Sequence, residues 1–286
     1  MEKLLIAAAG GSFPGGVFMA GAVQELVKKF EIKKASGASS GAINVVAAMS
    51  GNTYNLVNLW LEALSGFKKL TTFNPKKIIR NNGIFLISEF ADIMFSEMEV
   101  EGYFKKCQNT LIVYTELSQR IFSTNRVTIT DRLLFPWLIL PGVRQGIGMN
   151  TVTVDIEKIP ESERLTVLKA SCCLPFFQGL PVKINNSIAF DGQMNEDLGG
   201  MPELLKAYEY GDYVALMFRY ETGSLKNAAR SDEFYGLCDY YDIPRSHTMI
   251  IAPEQKLPAS GHYDMNFDNY LACAEIGREV ARSHMK

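Results

Sequence analysis

Histidine and cysteine are scarce in this chain, and each scarcity removes a class of function. The five cysteines, at 107, 172, 173, 238 and 273, form no even framework and no C-x-x-C pair. A disulfide scaffold and a zinc-ribbon site are therefore excluded, and reduced thiols in a reducing compartment are expected. The three histidines, His247, His262 and His284, all lie near the carboxyl end, with no H-E-x-x-H or similar spacing. No metal and no cofactor is expected. Neither sign of charge dominates: 29 basic against 31 acidic side chains give a formal net charge of −2. The strong positive field used to bind nucleic acid is missing, so no nucleic-acid partner is expected. No apolar run reaches the ~18–20 residues of a membrane-spanning helix, which leaves peripheral contact as the expected mode at a membrane and a cytoplasmic location otherwise.

What is present suits one large buried core. The chain has 286 residues, 47% of them hydrophobic, with no internal repeat and no Pro-, Gly- or Ser-rich linker. Residues 1–286 are read as a single domain. The opening MEKLLIAAAG imitates a signal peptide, but its apolar run is short and leads into glycines, so residues 3–9 are read as a buried strand. The turn GGSFPGG follows, and then a helical pattern from Val17 to Phe30 with Gln24, Glu25, Lys28 and Lys29 on its polar face. A second strand, EIKKAS, leads through GASSG into a helix over about 42–49. This strand–loop–helix repetition predicts an α/β fold, three-layer α/β/α, with a mainly parallel central sheet. Residues 53–106 read as mostly helical, with Leu56, Leu59, Trp60, Ala63 and Leu64 in one stripe. Further strands are expected at TLIVYTEL, QRIFSTN, TVTVDI, PVKIN, SIAF, DYVALMF and HTMIIAP, and a last helix over about 263–283.

Two local patterns carry chemistry. Gly37-Ala38-Ser39-Ser40-Gly41 spells G-x-S-x-G, in which a serine sits on a sharp strand-to-helix turn, its hydroxyl exposed at the positive end of the helix dipole. Gly10, Gly11, Gly15 and Gly16 form a turn whose amides are unobstructed and stand ahead of a helix, an arrangement that binds an anion. The spelling fits neither a P-loop, which needs Lys and Ser/Thr after the last glycine, nor the dinucleotide fingerprint G-x-G-x-x-G. An oxyanion hole one strand away from Ser39 remains. The serine's base is open between two readings: a triad in the order Ser39, Asp191 and His247 or His262, or Asp191 alone, delivered by the strand SIAF into the turn Asp191-Gly192-Gln193. The early position of Ser39, after only two strands, speaks against the first.

Together GGSFPGGVFMAG, GASSG and DGQ resemble the patatin-like phospholipase family, whose members carry a G-G-G-x-R-G loop, a G-x-S-x-G nucleophile and a D-G-G or D-G-A aspartate. Ser171 and Pro175 within ASCCLPFFQGLPVKIN are similar to the family's A-S-x-x-x-P stretch, and LIVYTEL to its central strand. The similarity extends to about residue 220. It implies a lipid acyl hydrolase of the phospholipase A type, with Ser39 as nucleophile, Asp191 as its partner in a dyad, and an oxyanion hole from Gly10, Gly11, Ser12, Gly15 and Gly16. Gly37, Gly41 and Gly192 would support the turns, and the substrate would be a phospholipid or another acyl-ester lipid. The loop departs from the pattern, with Ser12, Phe13 and Gly15 where the family has glycine, glycine and arginine. A patatin-like protein that binds lipid or protein without turnover is accordingly one alternative, and an α/β-hydrolase esterase using histidine is another. The apolar segment LLFPWLILP at 133–141 is read as a cover over the acyl pocket or an interfacial element.

Overall fold

The computed structural model describes residues 1–66, 87–117, 149–173, 182–184, 187–194, 198–258 and 266–285. The expected strand QRIFSTN, the segment 133–141, Pro175 and His262 lie outside them.

Among the described residues eight strands form one sheet: β1 (Glu2–Ala8), β2 (Phe30–Ala38), β3 (Thr110–Leu117), β4 (Met149–Asp155), β5 (Val182–Ile184), β6 (Ser187–Asp191), β7 (Tyr213–Met217) and β8 (Thr248–Ile251). Their order is β5-β6-β3-β2-β1-β7-β8, with β4 also on β3. β1 lies at the centre, and its side chains alternate faces as a strand must. Leu4, Ile6 and Ala8 enter one apolar cluster, and Leu5, Ala7 and Ala9 enter another. A continuous apolar run is what such two-sided burial demands.

Helices cover both faces, as in a three-layer α/β/α arrangement. They are α1 (Ser12–Leu26), α2 (Ser40–Met49), α3 (Leu56–Gly66), α4 (Ile87–Val100), α5 (Tyr103–Lys106), α6 (Glu161–Ser171), α7 (Met201–Leu205), α8 (Leu225–Tyr240) and α9 (Phe267–His284). The stripe Leu56, Leu59, Trp60, Ala63 and Leu64 is buried as its spacing predicts. No helix among the described residues is long and apolar enough to cross a membrane.

The expectation of a mainly parallel sheet is corrected. Pairings β1–β2, β1–β7, β2–β3 and β7–β8 are parallel, but β3–β4, β3–β6 and β5–β6 are antiparallel, so the sheet is mixed. The strand–helix–parallel strand unit holds at β1–α1–β2 and returns at β7–α8–β8. The reversal lies in β4 and β6, which run against β3, and strand patterning carries no direction in itself.

The first helix also differs from its expected span. It begins at Ser12, not Val17, because Pro14 in the first turn loses no hydrogen bond there and Gly15 and Gly16 are helical. Added side chains would strike neighbours: a β-carbon on Gly15 would lie 2.8 Å from Arg219 Cβ, and one on Gly16 would lie 2.5 Å from the Trp60 ring. The expected polar face is also curtailed. Glu25 is buried and keeps its charge by pairing with Arg282 of α9 at 3.1 Å and Lys28 at 2.8 Å. α1 and α9 approach so closely that a β-carbon on Gly21 would lie 2.0 Å from Ala274 O, and one on Gly277 would lie 2.0 Å from Phe18 O.

These contacts predict opposite outcomes for two helical glycines. Gly277→Ala must push α9 off α1 and is expected to cost about 1–3 kcal/mol. Gly236→Ala on α8, where an added β-carbon would meet no atom within 4 Å from beyond its own helix backbone among the described residues, is expected to stabilise by about 0.5–1 kcal/mol through helix propensity. Chemical denaturation of the two variants checks both signs.

Candidate active site

Ser39 and Asp191 come together because two strands share one edge of β3. β4 pairs with β3 from Leu111 to Leu117 and fills its other edge. On the near edge β2 pairs only as far as Ala38 opposite Val113, and β6, running the other way, ends with Asp191 opposite Tyr114. The two strand ends therefore abut. Ser39 leaves β2 at that junction and the Asp191 carboxyl arrives there.

Neither strand end can satisfy its backbone from a continuous neighbour, and the end of α6 supplies the missing partners. Ser171 Oγ accepts from Ser39 N at 3.0 Å and donates to Val113 O at 2.6 Å, while Asp191 N donates to Cys173 O at 2.8 Å. Cys172 Sγ donates to Ser39 O at 3.2 Å, and Thr115 Oγ1 to Asp191 O at 3.0 Å. Burial pushes both thiols up, Cys173 to about 12, so they are inert fillers of this junction.

Ser39 caps α2 with φ 54° and ψ −129°, a conformation costing about 1–3 kcal/mol for a non-glycine residue. The flanking glycines are there because the bend leaves no room. A β-carbon on Gly37 would lie 2.7 Å from Ala42 N, one on Gly41 would lie 2.0 Å from Ala8 O, and one on Gly192 would lie 2.3 Å from Val113 O. Ser39 itself is half-buried.

Asp191 is 1% exposed. Burial raises its carboxyl to about 6, against the opposing pull of a hydrogen bond from the Ser39 side chain and one from Gln193 N, at 2.9 Å from Oδ1. A carboxylate held this way is a far better proton acceptor near neutral pH than an exposed one.

The first turn reaches the same place from β1. A β-carbon on Gly10 would lie 2.7 Å from Ser39 Cβ and 2.5 Å from Gln193 Oε1. Not all its amides face outward, however. Gly11 N donates to Ser40 Oγ at 2.8 Å and Gly15 N to Gly11 O at 3.2 Å, while Gly16 lies on the helical ladder. Arg219, just past β7, covers the turn: its Nη1 donates to Ser12 Oγ at 3.2 Å, and Ser12 Oγ donates to Gly11 O.

Ser40 and Gln193 stand inside GASSG and DGQ without any role assigned to them there, and Arg219 joins the site only through tertiary packing. The described histidines stay away. His247 stacks on Tyr213 at the amino-terminal end of β7, with ring centroids 4.6 Å apart. His284 reaches the backbone of Ile250, and the next residue, Met285, accepts from Lys29 Nζ just before β2. Among the described residues no group of His, Cys, Asp and Glu is placed to hold a metal ion. A separate cleft of about 370 Å³, lined by Lys34, Leu111, Asp155, Lys158 and Lys206, contains neither Ser39 nor Asp191. Comparison with protein-family models and with curated proteins finds no match for the chain.

Burial of Asp191 carries a stability signature. Its native carboxyl titrates near 6 rather than at the ordinary 3.8, so the native state favours the protonated form. The group's stabilising contribution is full at low pH and is lost as pH rises through 6, a difference of about 3 kcal/mol. Asp191→Asn is expected to be more stable than the wild type at pH 8, with the gain shrinking towards pH 4. Denaturation midpoints at the two pH values check this.

Proposed function

We propose that the chain is a patatin-like lipid acyl hydrolase that cleaves carboxylic esters through a Ser39–Asp191 dyad. The observation that carries this reading is the half-buried Ser39, strained on its elbow, with its side chain hydrogen-bonded to a buried carboxyl raised to about 6. Strain and a shifted carboxyl are both disfavoured unless the surroundings impose them, and here they coincide on two contacting groups. The lipid substrate follows from the resemblance of GGSFPGG, GASSG and DGQ to the family's motifs.

In this reading Ser39 Oγ attacks the ester carbonyl and forms a C–O bond while its proton passes to Asp191. The carbonyl π pair moves onto oxygen, facing the turn at Gly10–Ser12 and the amino end of α2, whose first amides have no intrahelical acceptor. Collapse expels the alcohol, which takes the proton from Asp191 and leaves Ser39 acylated. Water then attacks the acyl carbon, gives its proton to Asp191, and departure of the carboxylic acid returns that proton to Ser39. A second reading, binding without turnover, draws on the Gly11 and Gly15 amides already having acceptors. The same experiment separates the two.

A fluorophosphonate probe should add to Ser39, located by mass spectrometry. Ester turnover should fall by ~10³-fold or more in Ser39→Ala and in Asp191→Asn, and should persist in His247→Ala. Because Asp191 must be ionised to act, kcat/KM is expected to rise with pH to a plateau above about 6, with a tenfold loss per pH unit below it. No turnover of any lipid or short-chain ester by the wild type would favour the binding reading, and loss in His247→Ala would remove the dyad.

A further inference from the structure

We infer that the side-chain carboxamide of Gln193 is a donor of the oxyanion hole, a catalytic residue alongside Ser39 and Asp191; the inference rests on the acyl-hydrolase reading above. Three independent features of the molecule meet at this group. Its Nε2 is buried and has no hydrogen-bond partner among the described residues. Buried amide N–H groups are paired almost without exception, because stripping them of water is costly, so an unpaired one beside a nucleophile points to an acceptor that arrives with substrate.

Position is the second feature. A single point, the place of a β-carbon on Gly10, lies 2.5 Å from Gln193 Oε1, 2.7 Å from its Cδ and 2.7 Å from Ser39 Cβ. The carboxamide is thus a direct neighbour of the first turn and of the Ser39 hydroxymethyl, with Oε1 the atom against Gly10 and Nε2 the end left without a partner among the described residues. The residue is also anchored to the dyad, since Gln193 N donates to Asp191 Oδ1 at 2.9 Å within the 3-10 turn Gly192–Met194. Asp191 and the Gln193 backbone therefore keep a fixed relation to each other.

The third feature is the shortage of donors on the turn. Gly11 N and Gly15 N are engaged by Ser40 Oγ and Gly11 O, so the amides left to face a negative oxygen are few. A neutral carboxamide suits the vacancy in function. It donates without giving up its proton, does not alter the charge of the buried Asp191, and strengthens as charge gathers on the carbonyl oxygen. When Ser39 Oγ bonds to carbon and the π pair moves onto oxygen, the Gln193 N–H stays intact and only donates. Its desolvation is suffered in the resting protein and offset at the tetrahedral stage, the differential binding that raises kcat.

Gln193→Met keeps the length and volume of the side chain without a donor. It is expected to lower kcat by ~10²–10³-fold, with KM and the thermal midpoint unchanged. Affinity for a boronic acid, which becomes tetrahedral on Ser39, should weaken by a similar factor, while affinity for the matching unreactive ether analogue stays put. Gln193→Glu, which places negative charge against the oxyanion, should lose at least as much. A Gln193→Met protein with kcat within threefold of the wild type, or one that loses ether and boronate affinity in parallel, overturns the inference and makes Gln193 a packing residue. Wild-type protein that neither turns over ester nor takes up a fluorophosphonate at Ser39 overturns the hydrolase reading and this inference with it. Wild-type turnover with an unimpaired Gln193→Met overturns the inference alone.

Discussion

Backbone pairing along one edge of β3 is the constraint on which the site depends. That edge is shared by β2 for its first half and β6 for its second, running in opposite directions, so Ala38 and Asp191 end beside Val113 and Tyr114. A break in a sheet ordinarily leaves N–H and C=O groups without partners, which is costly when buried. Here the Ser171–Cys173 end of α6 closes the break, through Ser171 Oγ on one side and Cys173 O on the other. The residues that repair the sheet are thus also those that fix the distance between Ser39 and Asp191.

Stability is given up at this junction, where the proposed chemistry would take place. Ser39 sits in a backbone conformation few side chains adopt, Asp191 is a carboxylate out of water, and Gln193 Nε2 is a donor out of water. Each is unfavourable alone. They persist because the surroundings are over-determined: the bend at Gly37 and Gly41, the crossing at Gly192, and the close contact of α2 with the end of β1 leave no alternative path for the chain. The rest of the molecule makes up the deficit by ordinary means, including two apolar clusters on the faces of β1 and the tight α1–α9 crossing.

Much of the architecture was legible, for identifiable reasons. β1 showed as an unbroken apolar run because it is buried on both faces, and α3 showed through its stripe because only one side of it packs. α8, LKNAARSDEFYGLCDY, was not legible, since its apolar positions are few and its burial rests on Phe234 and Cys238. The start of α1 was misplaced for a different reason. Glycines that signal a loop in a sequence also permit a helix to pass close to another side chain, and only the positions of Arg219 and Trp60 reveal which applies.

The sequence by itself determined the local bends. Gly37-x-Ser39-x-Gly41 and Asp191-Gly192 are short-range steric requirements, written in the residues that must be small, and they mark Ser39 and Asp191 without reference to anything distant. Tertiary structure alone decided that the two meet, that β6 runs antiparallel to β3, that Gly11 and Gly15 spend their amides internally, and that Gln193 and Arg219 reach the turn. Those outcomes depend on contacts between segments far apart in the chain, and direction, register and burial of that kind leave no periodic trace along it.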